Sequence, residues 1–192
     1  MTVYPVGEIA LMPPAGRAGE AGSGGEAWFD ILFRAHYPRV VGLLARLTGD
    51  RGAAEEIAAD VFCKLARRGP SGGEDPAPWI YRVASNAGLD ALRSNQRRRR
   101  REESVAAERE RAAAPDSALD AILREERRAR VREVLTGLRP RDAQLLMLRA
   151  EGLAYKELAE AVGINFASVG TTLARAEAEF ERRYRSRYGE ES

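Results

Sequence analysis

The residues best placed to do chemistry in this chain are cations and small hydroxyls. Five arginines run consecutively from Arg97 to Arg101 and are followed at once by Glu102 and Glu103. Consecutive arginines cover every face of a helix, so some face any nearby phosphate; the chemistry this predicts is non-specific, salt-sensitive contact with a duplex backbone. Closer to the C-terminus, YKELAEAVGINFASVGTTLA (155–174) and the residues just after it interleave Ser168, Thr171, Thr172 and Arg175 with the apolar Val169, Leu173, Ala176 and Phe180. Hydroxyls and a guanidinium on one outward helix face suit base edges and phosphates in a major groove.

Other chemistries find no residues to carry them. With one cysteine, Cys63, and one histidine, His36, neither a disulfide framework nor a zinc cluster is expected. No glycine-rich phosphate loop and no nucleophile with a base beside it is present, so the expectation is a non-enzyme with no metal and no cofactor. Cys63 reads as a small buried hydrophobe within an apolar helix, and His36 as helix surface or satisfied core.

Positioning these groups requires helices. Hydrophobic residues make up 44% and charged residues 31% of the 192, so most of the chain can fold, and a net charge of +2 makes charge location matter more than its sum. Residues 1–25 are rich in Gly, Pro and Ala without periodicity and read as a flexible tail. From Trp28, apolar residues recur three and four apart through Leu47, predicting a helix that ends near Thr48-Gly49-Asp50. A second stripe runs through Ile57, Val61, Phe62 and Leu65, with acids early and bases late. Pro76 and Pro78 reset the pattern, and a third helix carries Trp79, Ile80, Val83, Ala84, Leu89 and Leu92 into the arginine run.

Residues 102–118 contain Pro115 and few large apolar side chains, which predicts an interdomain linker. Apolar periodicity then resumes from Leu119 to Leu148 and in two shorter segments. Gly163 falls at a turn that needs positive φ, Ala159 where two helices approach closely, and Asn165 or Ser168 can cap the following helix. The expected fold class is all-α, with an N-terminal helix bundle (26–101) and a C-terminal helix-turn-helix domain (119–188) joined by a flexible linker. No stretch approaches the roughly 18 to 20 apolar residues of a membrane span, and the start lacks a basic-then-apolar export pattern. A cytoplasmic protein is expected.

The segment GLRPRDAQLLMLRAEGLAYKELAEAVGINFASVGTTLARAEAEF resembles region 4, the promoter-reading C-terminal domain, of extracytoplasmic-function (ECF) RNA polymerase sigma factors. FDILFRAHYPRVVGLLARLTGDRGAAEEIAADVFCKLARR and PWIYRVASNAGLDALRSNQRRRR are similar to region 2 of the same family, in the expected order. The resemblance implies transcription initiation directed to chosen promoters. Its implied partners are core RNA polymerase, through the β′ clamp and β flap, promoter DNA, and an anti-sigma factor. It implies that Asp60, Phe62, Lys64 and Arg67 dock on polymerase, Phe62 being read either as core or as interface. It places Tyr81, Arg82, Asn86, Arg93, Arg97 and Arg98 at the −10 element, with Trp79 read as core and Tyr81 and Arg82 as exposed. At the −35 element it places Arg149, Tyr155, Lys156, Ser168, Thr171, Thr172 and Arg175. The chain departs from the family pattern at Gly170, Thr172 and Glu177, where family members carry bases, which implies weaker or differently specified −35 recognition. The alternative reading is a dimeric helix-turn-helix regulator that binds an operator without core polymerase.

Overall fold

The computed structural model describes residues 24–69, 75–103 and 116–189. The expected N-terminal tail up to residue 23 and the linker from 104 to 115 lie outside the described residues. All regular elements among the described residues are helical: α1 (Gly24–Thr48), α2 (Arg51–Arg68), α3 (Ala77–Glu103), α4 (Asp116–Gly137), α5 (Pro140–Ala150), α6 (Tyr155–Val162), a 3₁₀ turn (Phe166–Ser168) and α7 (Val169–Tyr188).

Local chemistry sets the boundaries of the N-terminal helices. α1 stops where Gly49 takes φ 71°, a left-handed conformation that glycine adopts without a Cβ clash. Asp50 then caps α2, its Oδ1 accepting from the backbone N–H of Gly52 (2.8 Å) and Ala53 (3.2 Å), two donors a helix start leaves without partners. Asp75 does the same for Ala77 N–H at 2.9 Å. α1 begins before Trp28 and runs through Pro38, and α3 continues through the whole arginine run to Glu103.

Of the two readings of Phe62, core and interface, the structure gives the core. The residue is 2% exposed and packs edge-on against Phe29, Phe33 and Tyr37, with ring centroids 6.4, 5.2 and 5.5 Å away. It therefore fills the core between α1 and α2 and presents nothing to a docking partner, a correction to its candidacy as a polymerase-binding residue. Gly88 lets α3 lie close on α1: a Cβ there would meet Leu47 Cδ1 at 2.6 Å and Leu44 Cδ2 at 2.9 Å.

The two helical domains do not keep separate cores. The buried cluster runs without interruption from Val40 of α1 to Leu173 of α7. The reason lies in α3, where Trp79, Ile80, Tyr81, Val83 and Ala84 crowd apolar surface onto more than one face, more than α1 and α2 alone can cover. α5 and α6 pack on the remainder. Polar bonds fasten the same seam: Gln144 Nε2 donates to Ser85 Oγ at 3.1 Å and to Asn86 Oδ1 at 2.7 Å. Arg39 donates to the Glu151 carbonyl at 2.9 Å, and Arg46 pairs with the Glu151 carboxylate. Arg132, only 9% exposed, bonds Glu125 and lies against Gly49. Among the described residues no buried side-chain polar atom lacks a partner.

Candidate nucleic-acid interface

The helix-turn-helix is built as its sequence predicts. Ala159 is buried, and its carbonyl accepts from the N–H of both Gly163 (2.9 Å) and Ile164 (3.0 Å). Gly163 adopts φ 69°, ψ 48°, the left-handed corner that turns the chain from α6 towards α7. Asn165 Oδ1 accepts from Ala167 N–H at 2.9 Å and starts the 3₁₀ turn, whereas Ser168 makes no capping bond. At the start of α6 the Glu157 carboxylate accepts from Ala154 N–H at 2.6 Å.

Val169, Leu173 and Ala176 of α7 are buried, and Phe180 packs against the core. Ser168, Thr171 and Arg175 are exposed on the outward face and Thr172 is half-buried beside them. Thr171 and Thr172 donate their hydroxyls to the Ser168 carbonyl at 3.1 and 2.7 Å. Arg149, Tyr155 and Lys156 are exposed on the flank; the Arg149 guanidinium lies 5.5 Å over the Tyr155 ring, a cation–π arrangement that holds the cation in place. Gly170 has no steric need to be glycine, since a Cβ there would meet only Tyr155 Cε2 at 3.8 Å.

The structure adds cations that sequence periodicity does not connect to this face. Arg139 and Arg141, at the start of α5, and Arg183 of α7 line one concavity of about 590 Å³ with Ser168, Thr172 and Arg175. Arg183 is held by Glu179, whose carboxylate accepts from it at 2.6 Å and takes a bidentate grip from Arg182. These bonds, that from Arg183 foremost, hold the Glu179 carboxyl below its ordinary pKa. The groups come from two helices far apart in sequence, which is why no spacing rule finds them.

The face around α3 is arranged differently. Arg82 is exposed and lines a concavity of about 360 Å³ with Arg68, Asp75, Trp79 and Glu160, the last contributed by α6. Trp79 is partly buried against the core, with the Arg68 guanidinium 5.2 Å over its ring. Tyr81 corrects the expectation of exposure: it is 2% exposed, its hydroxyl 3.4 Å from His36 Nδ1, and burial raises its pKa. Asn86 keeps an exposed edge but is engaged by Gln144. Arg93 is half-buried, and Arg97, Arg98, Arg99 and Arg101 are exposed along the end of α3. Asp60, Lys64 and Arg67 are exposed on α2. Cys63 is exposed too, against the expectation of burial, because it lies beside the apolar stripe of α2 and not on it.

The comparisons with known proteins agree with this architecture. Residues 32–98 match the family model of Sigma-70 region 2, and residues 128–180 that of Sigma-70 region 4. The RNA polymerase sigma factor CarQ of Myxococcus xanthus is 31% identical over 164 residues, 83% of this chain and 88% of that protein. The RNA polymerase sigma-H factor of Pseudomonas aeruginosa is 28% identical over 158 residues, 77% of this chain and 81% of that protein. The ECF RNA polymerase sigma factor SigE of Mycolicibacterium smegmatis is 28% identical over 153 residues, 77% of this chain and 58% of that protein. With the region 2 and region 4 matches in order on a wholly helical scaffold, the chain belongs to the RNA polymerase sigma factors, in their extracytoplasmic-function group.

Proposed function

We propose that this sigma factor divides its promoter between two faces, working in the cytoplasm with core RNA polymerase and with no catalytic chemistry of its own. Residues 26–101 act as the polymerase-docking and −10 domain. Asp60, Lys64 and Arg67 on the exposed side of α2 meet the clamp of the β′ subunit. Arg82 and Asn86 receive the non-template strand, with Arg93, Arg97 and Arg98 on flanking phosphates. Residues 119–188 act as the −35 domain: Ser168, Thr171, Thr172 and Arg175 enter the major groove while Arg149, Tyr155 and Lys156 grip the backbone. Flap contact on the β subunit and control by an anti-sigma factor complete the reading.

The observation that carries it is the outward face of α7. Ser168, Thr171 and Arg175 are exposed, Thr172 is half-buried beside them, and the bonds of the two threonines and Arg175 stay within their own helix or turn, so the face is ready for a duplex without prior rearrangement. Among the described residues no helix is long and apolar enough to cross a membrane. The test is reconstitution with core polymerase on a randomised promoter library. Enrichment of two-part promoters with a −10 and a −35 element is the expected result. A chain that neither co-purifies with core nor directs initiation at any promoter overturns the reading.

A further inference from the structure

Phe166 is 61% exposed, and it and Tyr155 are the only aromatic residues among the exposed large hydrophobics of the described chain. Both stand on the helix-turn-helix. Phe166 opens the single turn leading into α7, directly after the cap residue Asn165 and two residues before Ser168. Residues at the N-terminal end of a recognition helix are those that reach base edges. A phenyl ring left in water there forgoes the burial that drives folding, and a DNA partner would supply it.

The neighbouring groups point the same way. The hydroxyl hydrogens of Thr171 and Thr172 are already directed to the Ser168 carbonyl, so neither residue has a donor to spare; each offers a methyl group and oxygen lone pairs. Gly170 offers no side chain, and Arg175 directs its Nε–H to the Thr171 carbonyl at 3.3 Å and keeps its Nη donors for a phosphate or a base elsewhere on the site. Guanine presents two acceptors in the major groove and is read by donors, above all a bidentate arginine. Thymine presents the one apolar group there, its C5-methyl, and is read by apolar contact. A ring exposed at the head of the helix, with two threonines behind it that offer methyls and no spare donor, is matched to thymine at the positions these three side chains meet.

We propose that Phe166, with the Thr171 and Thr172 methyls on the helix that follows it, reads thymine C5-methyl groups in the −35 duplex, and that this contact contributes to the sequence preference. The proposal rests on the −35 assignment of the helix-turn-helix. On this proposal Arg139 and Arg141 of α5 and Arg183 farther along α7, which line the adjoining concavity, serve the backbone.

The test uses the full chain with core polymerase and the duplex most enriched from the promoter library, made once with thymine and once with uracil throughout the −35 element. Uracil pairs as thymine does and lacks only the methyl. The parent protein is expected to bind the uracil duplex about fourfold more weakly for each methyl it touches, the value of one buried methyl-sized group. Phe166→Ala is expected to lose that difference, and Phe166→Leu to keep most of it. Because Phe166 is exposed, neither change removes core packing. If the enriched −35 element has no thymine opposite α7, or if Phe166→Ala keeps the parent's thymine-to-uracil ratio, methyl reading is overturned while the −35 assignment stands. If no −35 element is enriched at all, both fall.

Discussion

α3 and α7 both carry arginines, and the surroundings of the two helices differ. α7 buries Val169, Leu173 and Ala176 and leaves its opposite face open, with hydroxyls and guanidinium bonded only locally. α3 is enclosed: Tyr81 is buried beside His36, Asn86 is held by Gln144, and Glu160 of α6 shares the concavity of Arg82. At α3 the Asn86 Oδ1 is already bonded to Gln144, and the Glu160 carboxylate lines the same concavity as Arg82. Thr171, Thr172 and Arg175 of α7 are bonded only within their own helix or the turn before it. The difference teaches that readiness to bind is a property of what packs around a helix, since α3 is the more basic of the two and yet the more enclosed.

The comparison can be broken hardest at the shared core. Phe62→Ala removes the centre of the aromatic cluster and is expected to cost about 3–5 kcal/mol. Because the cluster is continuous across both domains, chemical denaturation followed by circular dichroism should show one transition shifted as a whole; two separate transitions would mean that the seam does not couple the domains. Gly88→Ala drives a Cβ into Leu44 and Leu47 and is expected to cost about 1–3 kcal/mol by overpacking, read by the same melt.

On the open side, Arg139→Ala with Arg141→Ala should lower the slope of log affinity against log salt for duplex DNA. The decrease is about 0.9 for each phosphate no longer neutralised, close to tenfold in affinity between about 50 and 200 mM salt for both together. An unchanged slope would leave the concavity beside Thr172 without a part in DNA binding. On the enclosed side, Gln144→Ala removes two bonds across the seam and is expected to cost about 1 kcal/mol. It should also raise hydrogen exchange along the middle of α3, and unchanged exchange there would mean that α5 closes over α3 by apolar packing alone.

The smallest effect is pH dependence at His36. Burial lowers the pKa of its imidazole from the ordinary 6.5, with the Asp75 carboxylate opposing in part. The folded state thus prefers the neutral ring and the unfolded chain takes up the proton first. Stability from this group is present above about 6.5 and is lost as pH falls through the window between 6.5 and the lowered folded value. His36→Gln should flatten that part of the stability profile, measured by thermal melts at stepped pH; an unaltered profile would remove His36 from the enclosed corner's energetics.

Much of this was legible in sequence because it rests on local rules. The apolar spacing from Trp28 to Leu47, the caps at Asp50 and Asn165, and Gly163 at the corner each follow from how a backbone satisfies its own bonds and angles within a few residues. The outward face of α7 followed from the same periodicity. Burial of Phe62 and Tyr81, exposure of Cys63, and the meeting of Arg139 and Arg141 with Arg175 and Arg183 did not, because each depends on which helix lies alongside. An aromatic on an amphipathic helix has the same local pattern whether its ring faces a neighbour or solvent. The arginine-bearing helices were therefore determined by the sequence alone, and which of them stands open was decided by the packing of α5 and α6 on α3, a contact between segments more than fifty residues apart.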